Sequence, residues 1–333
     1  MAGDIGEKYA GGLIGCREDA ESDRRFADHI RANGGDPVGG DVLYEWGLKD
    51  IGKGKLVTPW VIVEKVFPGC WPGAAQDIGD CVSHGTKNAC LITLACEIYD
   101  AKPDEVTGRI EGAPEIPEEG IREGALSTEA IYWWRGHGGA NGWVCSDSAR
   151  QVSTNAGLWP RKPYPELGFD LTTYSGSKAT KWGGTSPPEN VAKVGKEHLI
   201  RTATKVTGRE QVRDFLAAGY GVFNCSSLGF SRTRDEFGFS NQSGSWAHSQ
   251  CFIGYDDRPE THEKYGQALV GWINSWGKWN SGGRKVRGTE LMIPEGSFWT
   301  LADTIDRCSC FALSSVAGWP RRKMPDYGAK GNI

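Results

Sequence analysis

Cys81 has the sequence surroundings of a cysteine nucleophile. It follows Gly79 and Asp80 and stands directly before a run that is compatible with a helix. A thiolate at a helix N-terminus is stabilised by the helix dipole, so we expect the pKa of Cys81 to be lowered. Attack on a carbonyl also requires donors for the oxyanion, and the predicted donors are the Cys81 backbone N–H and the Gln76 amide. A buried structural cysteine is the competing interpretation of this segment.

A base and an orienting residue are predicted further along the chain. His248 precedes the run Cys251-Phe252-Ile253-Gly254-Tyr255, which is typical of a β-strand, so its imidazole should lie at the rim of a sheet. Asn274 follows a second such run, and its side-chain carbonyl can accept the imidazole N–H and fix the tautomer. Trp276 can shield that hydrogen bond from water. A lone histidine is more often structural, so the interpretation depends on all of these residues together.

The elements that must position these residues change character along the chain. Helical patterns dominate the first half and strand patterns the second, without alternation, which indicates an α+β fold and not a doubly wound sheet. Helices are predicted over residues 18–32, 81–99, 127–134, 146–155 and 209–216, and strands over residues 222–225, 251–255 and 268–273.

The sequence resembles the papain-like cysteine peptidases over roughly residues 56–315. The order Cys, His, Asn with a glutamine ahead of the cysteine is that of the family, and His248 stands six residues before a Gly-Tyr pair as family members have it. Further matching segments are Asn274-Ser275-Trp276-Gly277, Leu126-Ser127-Thr128-Glu129, Asn141-Gly142-Trp143, Gly157-Leu158 with Tyr164-Pro165, Gly282-Gly283 and Gly296-Ser297-Phe298-Trp299. Each motif alone is weak to moderate, but several in the family's order make the resemblance specific.

The resemblance implies a papain-like two-lobed fold, with a helical left lobe and an antiparallel, barrel-like right lobe. It predicts an N-terminal extension (1–55), a peptidase domain (56–315, with lobes at about 70–180 and 181–315) and a C-terminal tail (316–333). Cys81, His248, Asn274 and Gln76 are the implied catalytic residues of peptide-bond hydrolysis. The implied substrate-binding residues are Gly138, Gly139, Asn141, Gly142 and Trp276, with no metal or organic cofactor.

The chain also departs from the family pattern. Gln76 is one residue closer to Cys81 than the usual glutamine, and Val82 replaces the common tryptophan. Asp80 places a negative charge beside the thiol, which opposes ionisation. The leader shows no long helical propeptide. Divergent, leaderless copies of this kind resemble those that bacteriophages encode as particle components. The alternative function is therefore a catalytically silent structural protein of a virus particle, with other particle proteins or itself as partners.

Composition excludes several other classes. The formal net charge of −4 gives no reason to expect nucleic acid or an anionic membrane surface as a partner. No apolar run approaches a membrane-spanning length, and the first residues lack the apolar core of a secretory signal, so we expect cytoplasmic synthesis. The ten cysteines form no C-x-x-C pair, so a zinc site is not predicted and mostly reduced thiols are expected.

Two rival assignments use neighbouring residues. His84 lies three residues after Cys81 on the same predicted helix face, but a base one turn down the helix is badly placed for the leaving group. Asp147, on a predicted helix, could replace Asn274 as orienting residue only if the fold happened to bring it to the histidine, and we do not favour it. The preferred substrate is a peptide or protein, and the sequence leaves open whether it is a protein, a cell-wall peptide or the chain itself.

Overall fold

The structure is a computed structural model that describes residues 15–32, 48–101, 114–136, 141–280 and 282–314. Its α-helices, numbered in chain order, are α1 Ala20–Ala32, α2 Pro59–Val66, α3 Cys81–Ala101, α4 Glu118–Arg122, α5 Glu129–Tyr132, α6 Cys145–Thr154, α7 Gly176–Gly183, α8 Glu189–Gly195, α9 Gly208–Ala217 and α10 Pro259–Tyr265. Its strands are β1 Cys16–Arg17, β2 Leu56–Val57, β3 Trp143–Val144, β4 Pro163–Tyr164, β5 Phe169–Asp170, β6 Ala203–Val206, β7 Gly221–Phe230, β8 Gln242–Asp256, β9 Leu269–Ile273, β10 Arg284–Lys285, β11 Met292–Ile293, β12 Ser297–Leu301 and β13 Ser309–Leu313.

Helix α3 is the central element of the fold. It is 21 residues long, and residues on all its sides are buried, because α2 and α6 cover one side and strands β7 and β8 cover the other. Gly85 allows a close approach to β8, since a methyl group there would lie 2.6 Å from the Ser249 hydroxyl. The first turn of α3 therefore lies directly on strand β8.

The second half of the chain forms one seven-stranded sheet in the order β12-β9-β8-β7-β13-β6, with β2 paired to the far end of β8. Every pairing in it is antiparallel. The α+β class, with a helical lobe and an antiparallel lobe, is therefore confirmed. Over the described ranges the strand order does not close into a complete barrel, and β12 makes one further contact, a parallel bridge between Trp299 and Phe239.

A buried ion pair fixes the helical lobe. The Arg161 guanidinium lies 3.1 Å from Glu129 at the start of α5, and both side chains are fully buried. Ser127 donates its hydroxyl to the same carboxylate at 2.9 Å, and the backbone N–H of Ser175 donates to it at 2.9 Å. These bonds join three separate segments of the lobe around one carboxylate. Charge and hydrogen bonding hold the pKa of Glu129 below its ordinary value, although burial opposes them.

All the predicted helices and strands occur. Strands β7 and β8 extend well beyond the apolar runs that indicated them, so His248 lies inside β8, whereas β9 is one residue shorter than its run. The described part of the predicted N-terminal extension packs on the body, with Phe26, Ile30 and Leu48 in its cores. The predicted C-terminal tail (316–333) lies outside the described residues. None of the described helices has the length and apolarity needed to span a membrane.

Candidate active site

The base candidate is held by two neighbouring strands. His248 lies on β8 and Asn274 follows the end of β9, and the two strands pair antiparallel with Cys251 opposite Ile273. This register brings the two side chains together, and His248 Nε2 lies 2.9 Å from Asn274 Oδ1. The Trp276 ring stacks on the imidazole with a centroid distance of 4.7 Å. Both His248 and Trp276 are buried, so the imidazole is fixed in orientation and shielded from bulk water.

The nucleophile candidate lies against the backbone of the same strand. Cys81 is the first residue of α3 and is fully buried. Burial raises the pKa of the Cys81 thiol to about 12, with the negative charge of Asp80 adding to the rise and a hydrogen bond from the Ser249 backbone opposing it. The contact with Ser249 places the thiol beside the residue that follows His248. The expected lowering of this pKa does not occur in the structure, because burial outweighs the helix dipole.

The pKa of His248 is shifted in the direction opposite to that of the thiol. Burial lowers it to about 4, the hydrogen bond that His248 donates to Asn274 opposes that change, and the positive charge of a protonated His84 would add to it. At neutral pH the pair is therefore a neutral thiol and a neutral imidazole. An ion pair between thiolate and imidazolium requires water or substrate to reach the site, because burial is the leading cause of both shifts.

The rival base His84 faces a different partner. Its Nε2 lies 3.6 Å from the Asp80 carboxylate, and both side chains are buried. The Tyr174 hydroxyl donates to the same carboxylate at 2.9 Å, and its ring meets the His84 ring edge to face. Asp80, His84 and Tyr174 thus form a buried polar cluster under the start of α3. The cluster fixes the position of Asp80, whose charge disfavours a thiolate at the next residue.

Gln76 links the two lobes beside the site. Its side-chain N–H donates to the Ile78 carbonyl at 2.8 Å, and its side-chain oxygen accepts the Ser275 hydroxyl. Its backbone N–H also donates to the Ser275 carbonyl at 2.8 Å. Ser275 directly follows Asn274, so these bonds tie the segment before the nucleophile to the segment that holds the orienting residue. An amide nitrogen carries two hydrogens, and one of them is committed to Ile78.

Asn141 and Gly142 lie next to the loop that precedes the nucleophile. The Gly79 backbone N–H donates to Asn141 Oδ1 at 2.6 Å, and the Gly142 N–H donates to the Gly79 carbonyl at 2.8 Å. A methyl group on Gly79 would lie 2.7 Å from Asn141 Oδ1. Gly79 is therefore required by close packing against Asn141. Gly138 and Gly139 lie outside the described residues.

A feature that the sequence did not indicate covers Cys81. Strand β1 pairs in parallel with β3, and the Trp143 N–H donates to the Gly15 carbonyl at 3.1 Å. A methyl group on Gly15 would lie 2.5 Å from Cys81 Sγ and 3.3 Å from the Ala247 carbonyl. Residues 15–17, called the covering segment below, thus lie on the thiol. No local pattern in the sequence could have revealed this contact, because the paired residues are more than a hundred positions apart.

A second thiol lies near the base. Cys145 is the first residue of α6, and its sulfur is 3.5 Å from the hydroxyl of Ser249, the neighbour of His248. The helix dipole acts on Cys145 as it does on Cys81. Its sulfur, however, belongs to a buried cluster with Cys16 and Cys225, and it lies at bonding distance from Cys225. Cys145 is therefore the second candidate nucleophile. The other rival, Asp147, accepts the indole N–H of Trp143 at 2.8 Å.

The cysteine cluster is also where the described residues could hold a metal ion. The sulfur atoms of Cys16, Cys145 and Cys225 lie within 4.8 Å of one another. The Cα of Cys225 is 6.1 Å from that of Cys16 and 6.2 Å from that of Cys145, so either pair could form a disulfide. The other seven cysteines are not in disulfides.

No protein-family model matches the sequence, and a search of curated proteins found no match. Some solved structures of cysteine proteases are distantly similar to it. Xylellain, a cysteine protease from Xylella fastidiosa, is 16% identical over 73% of this chain and 83% of that chain, with a TM-score of 0.42. Procathepsin B S9 from Trypanosoma congolense is 12% identical over 78% and 76%, with a TM-score of 0.40. A recombinant stem bromelain precursor is 12% identical over 74% and 68%, also with a TM-score of 0.40. Values this low assign neither a family nor an activity to the chain.

Proposed function

We propose that the chain is a papain-like cysteine peptidase that hydrolyses peptide bonds with Cys81 as nucleophile, His248 as base and Asn274 as orienting residue. The observation that carries the proposal is the bonded His248–Asn274 pair, at 2.9 Å, with the Cys81 thiol nearby. A methyl group on Gly15 would approach both Cys81 Sγ, at 2.5 Å, and the carbonyl of Ala247, the residue before His248, at 3.3 Å. A thiol at a helix N-terminus beside an oriented imidazole is the arrangement that cysteine-dependent acyl transfer requires.

The proposed reaction starts with transfer of the Cys81 proton to His248. Because Nε2 faces Asn274, the proton is taken up by Nδ1, and the Asn274 carbonyl then stabilises the imidazolium. The thiolate attacks the substrate carbonyl carbon, and the imidazolium protonates the leaving amine. Water then releases the acyl group with His248 as general base. The substrate is a peptide or protein, and no metal or organic cofactor enters these steps.

Oxyanion stabilisation is assigned to the Cys81 backbone N–H and Gln76. The first N–H groups of a helix have no partner within the helix, so the Cys81 N–H can point at a developing charge. The Gln76 side chain is held by Ile78 and Ser275, and its second amide hydrogen is the donor we assign to the oxyanion. Asn141 and Gly142 flank the same loop and would hold the substrate backbone, with Gly138 and Gly139 as further proposed contacts.

The second candidate function is a silent, structural member of a virus particle. One observation favours silence: Cys81 is fully buried under the covering segment, and its pKa is raised to about 12. In that case the partners would be other particle proteins or further copies of the chain. Assembly of the purified protein into larger particles supports this candidate. A protein that sediments as a monomer and hydrolyses peptides refutes it.

The activity is tested with a library of fluorogenic peptides after reduction of the protein. Hydrolysis that is lost in Cys81→Ala and in His248→Ala but retained in Cys145→Ala supports the proposal. Retention in Cys81→Ala with loss in Cys145→Ala would transfer the nucleophile role to Cys145. No hydrolysis by the reduced wild type would favour the silent structural role.

A further inference from the structure

Three cysteines from distant parts of the chain meet beside the active-site candidate. Cys16 lies on β1 in the covering segment, Cys145 begins α6, and Cys225 lies on β7. All three are buried, with Cys16 the most exposed at 8%. The Cα of Cys225 is 6.1 Å from that of Cys16 and 6.2 Å from that of Cys145. Both separations fall in the range of about 4.4–6.8 Å that disulfides span.

Cys225 can therefore bond to either neighbour, because both Cα separations suit a disulfide and the three sulfur atoms lie within 4.8 Å of one another. A sulfur atom forms only one disulfide at a time, so the cluster has two alternative oxidised states. In each of them the third cysteine is a thiol that lies within 4.8 Å of the bonded pair. This is the arrangement in which a thiol can exchange with a disulfide without any movement between domains.

The two states differ in what holds the covering segment. Cys16 directly follows Gly15, the residue that lies on Cys81 Sγ. A bond from Cys16 to Cys225 anchors this segment covalently to strand β7 of the sheet. When Cys225 is bonded to Cys145, the segment is held by its two-residue pairing with β3, the Gly15–Trp143 hydrogen bond and the burial of Cys16.

We propose that Cys16, Cys145 and Cys225 form a thiol–disulfide exchange site that takes low-molecular-weight thiols and disulfides as reactants and controls access to Cys81. The Cys16–Cys225 bond keeps the thiol covered, and the Cys145–Cys225 bond or full reduction permits its uncovering. The control of Cys81 rests on the proposed peptidase function, whereas the exchange itself does not.

The exchange step conserves electrons. Cys145 loses its proton, its thiolate attacks Cys225 Sγ, and the Cys145–Cys225 bond forms as the Cys16–Cys225 bond breaks. The electron pair leaves on Cys16 Sγ, which then takes up a proton. Cys145 is placed for the attack because its sulfur lies within 4.8 Å of the sulfur atoms of both Cys16 and Cys225. Formation of the first disulfide is a two-electron oxidation, matched by reduction of a small disulfide such as oxidised glutathione to two thiols.

Disulfide mapping tests the exchange independently of any activity. The wild-type protein is equilibrated in a glutathione buffer, quenched with acid, alkylated and digested for mass spectrometry. We expect both linked peptides, Cys16–Cys225 and Cys145–Cys225, in the wild type. Cys145→Ser should give only the first and Cys16→Ser only the second. Absence of the Cys16–Cys225 peptide, or one equivalent of bound zinc at these cysteines, would overturn the proposal.

Labelling of Cys81 by an epoxide probe tests the control of access. The Cys16–Cys225 bond restricts the open states of the segment, so Cys81 in oxidised Cys145→Ser should react at least about tenfold more slowly than in oxidised Cys16→Ser. A reductant should remove the difference in rate between the two variants. Matching thermal melting curves of the two variants exclude misfolding, and Cys145→Ala and Cys16→Ala serve as a second pair. Equal rates before reduction would refute the control. Absence of labelling in every variant after reduction would refute the peptidase function as well, and the linked peptides would still decide on the exchange.

Discussion

The neutral state of His248 makes a quantitative prediction about stability. Burial lowers its pKa from 6.5 to about 4 in the folded protein, so the unfolded chain binds more protons between these two values. Stability is therefore complete above about pH 6.5 and is lost as the pH falls towards about pH 4. The two pKa values give a loss of about 2 kcal/mol in the free energy of unfolding between about pH 7.5 and about pH 5.

The perturbation that isolates this effect is His248→Gln, which keeps a hydrogen-bonding side chain for Asn274 but does not titrate. Urea unfolding of wild type and variant at several pH values gives the difference in the free energy of unfolding. That difference should change by about 2 kcal/mol between the two pH values, with the wild type losing more stability in acid. The other histidines are present in both proteins, so their contributions cancel.

Two other results would refute the reasoning. If the free energies of unfolding of wild type and variant change with pH in parallel, His248 is not buried as a neutral group. A wild type that becomes relatively more stable as the pH falls below about 8 would mean a pKa raised above 6.5, as in an ion pair with the Cys81 thiolate. A raised pKa contributes stability at low pH that is lost as the pH rises, which is the opposite sign.

Two further predictions concern the covering segment and the helical lobe. Gly15→Val places methyl groups against Cys81 Sγ, so the covering segment should be displaced. Cys81 should then react faster with an epoxide probe than in the wild type, even when no reductant is added. An unchanged rate would contradict the coverage of Cys81 by this segment. Glu129→Gln leaves the fully buried Arg161 without its charge partner and should lower the free energy of unfolding by about 3 kcal/mol in urea titrations. The matched change Glu118→Gln, in an exposed ion pair, should cost no more than about 0.5 kcal/mol, and equal effects would contradict the reasoning.

The sequence was informative where a local pattern sets the structure. Apolar runs predicted α3, β8 and β9 because burial requires a continuous apolar surface. The motif around Asn274 predicted its hydrogen bond with His248, because the pairing of neighbouring antiparallel strands brings these two positions together. Whether the sheet closes into a complete barrel could not be predicted, since closure depends on strand twist and tilt and not on any single run.

Contacts between distant segments were beyond local patterns. Cys225 is separated from Cys16 by 209 residues and from Cys145 by 80, and cysteine spacing alone does not determine pairing. The coverage of Cys81 by Gly15 is of the same kind. It also explains why the sequence suggested a lowered thiol pKa: the helix dipole is visible in the sequence, whereas the burial that outweighs it is not.

Location of an epoxide probe by mass spectrometry tests the central claim most directly. The reduced wild type is treated with a papain-directed epoxide alongside His248→Ala, Cys81→Ala and Cys145→Ala. The account predicts labelling at Cys81, lost in the first two variants and kept in the third. Labelling that persists without His248, or that occurs at Cys145 or at several cysteines equally, would contradict the assignment of Cys81 and His248 as an active pair.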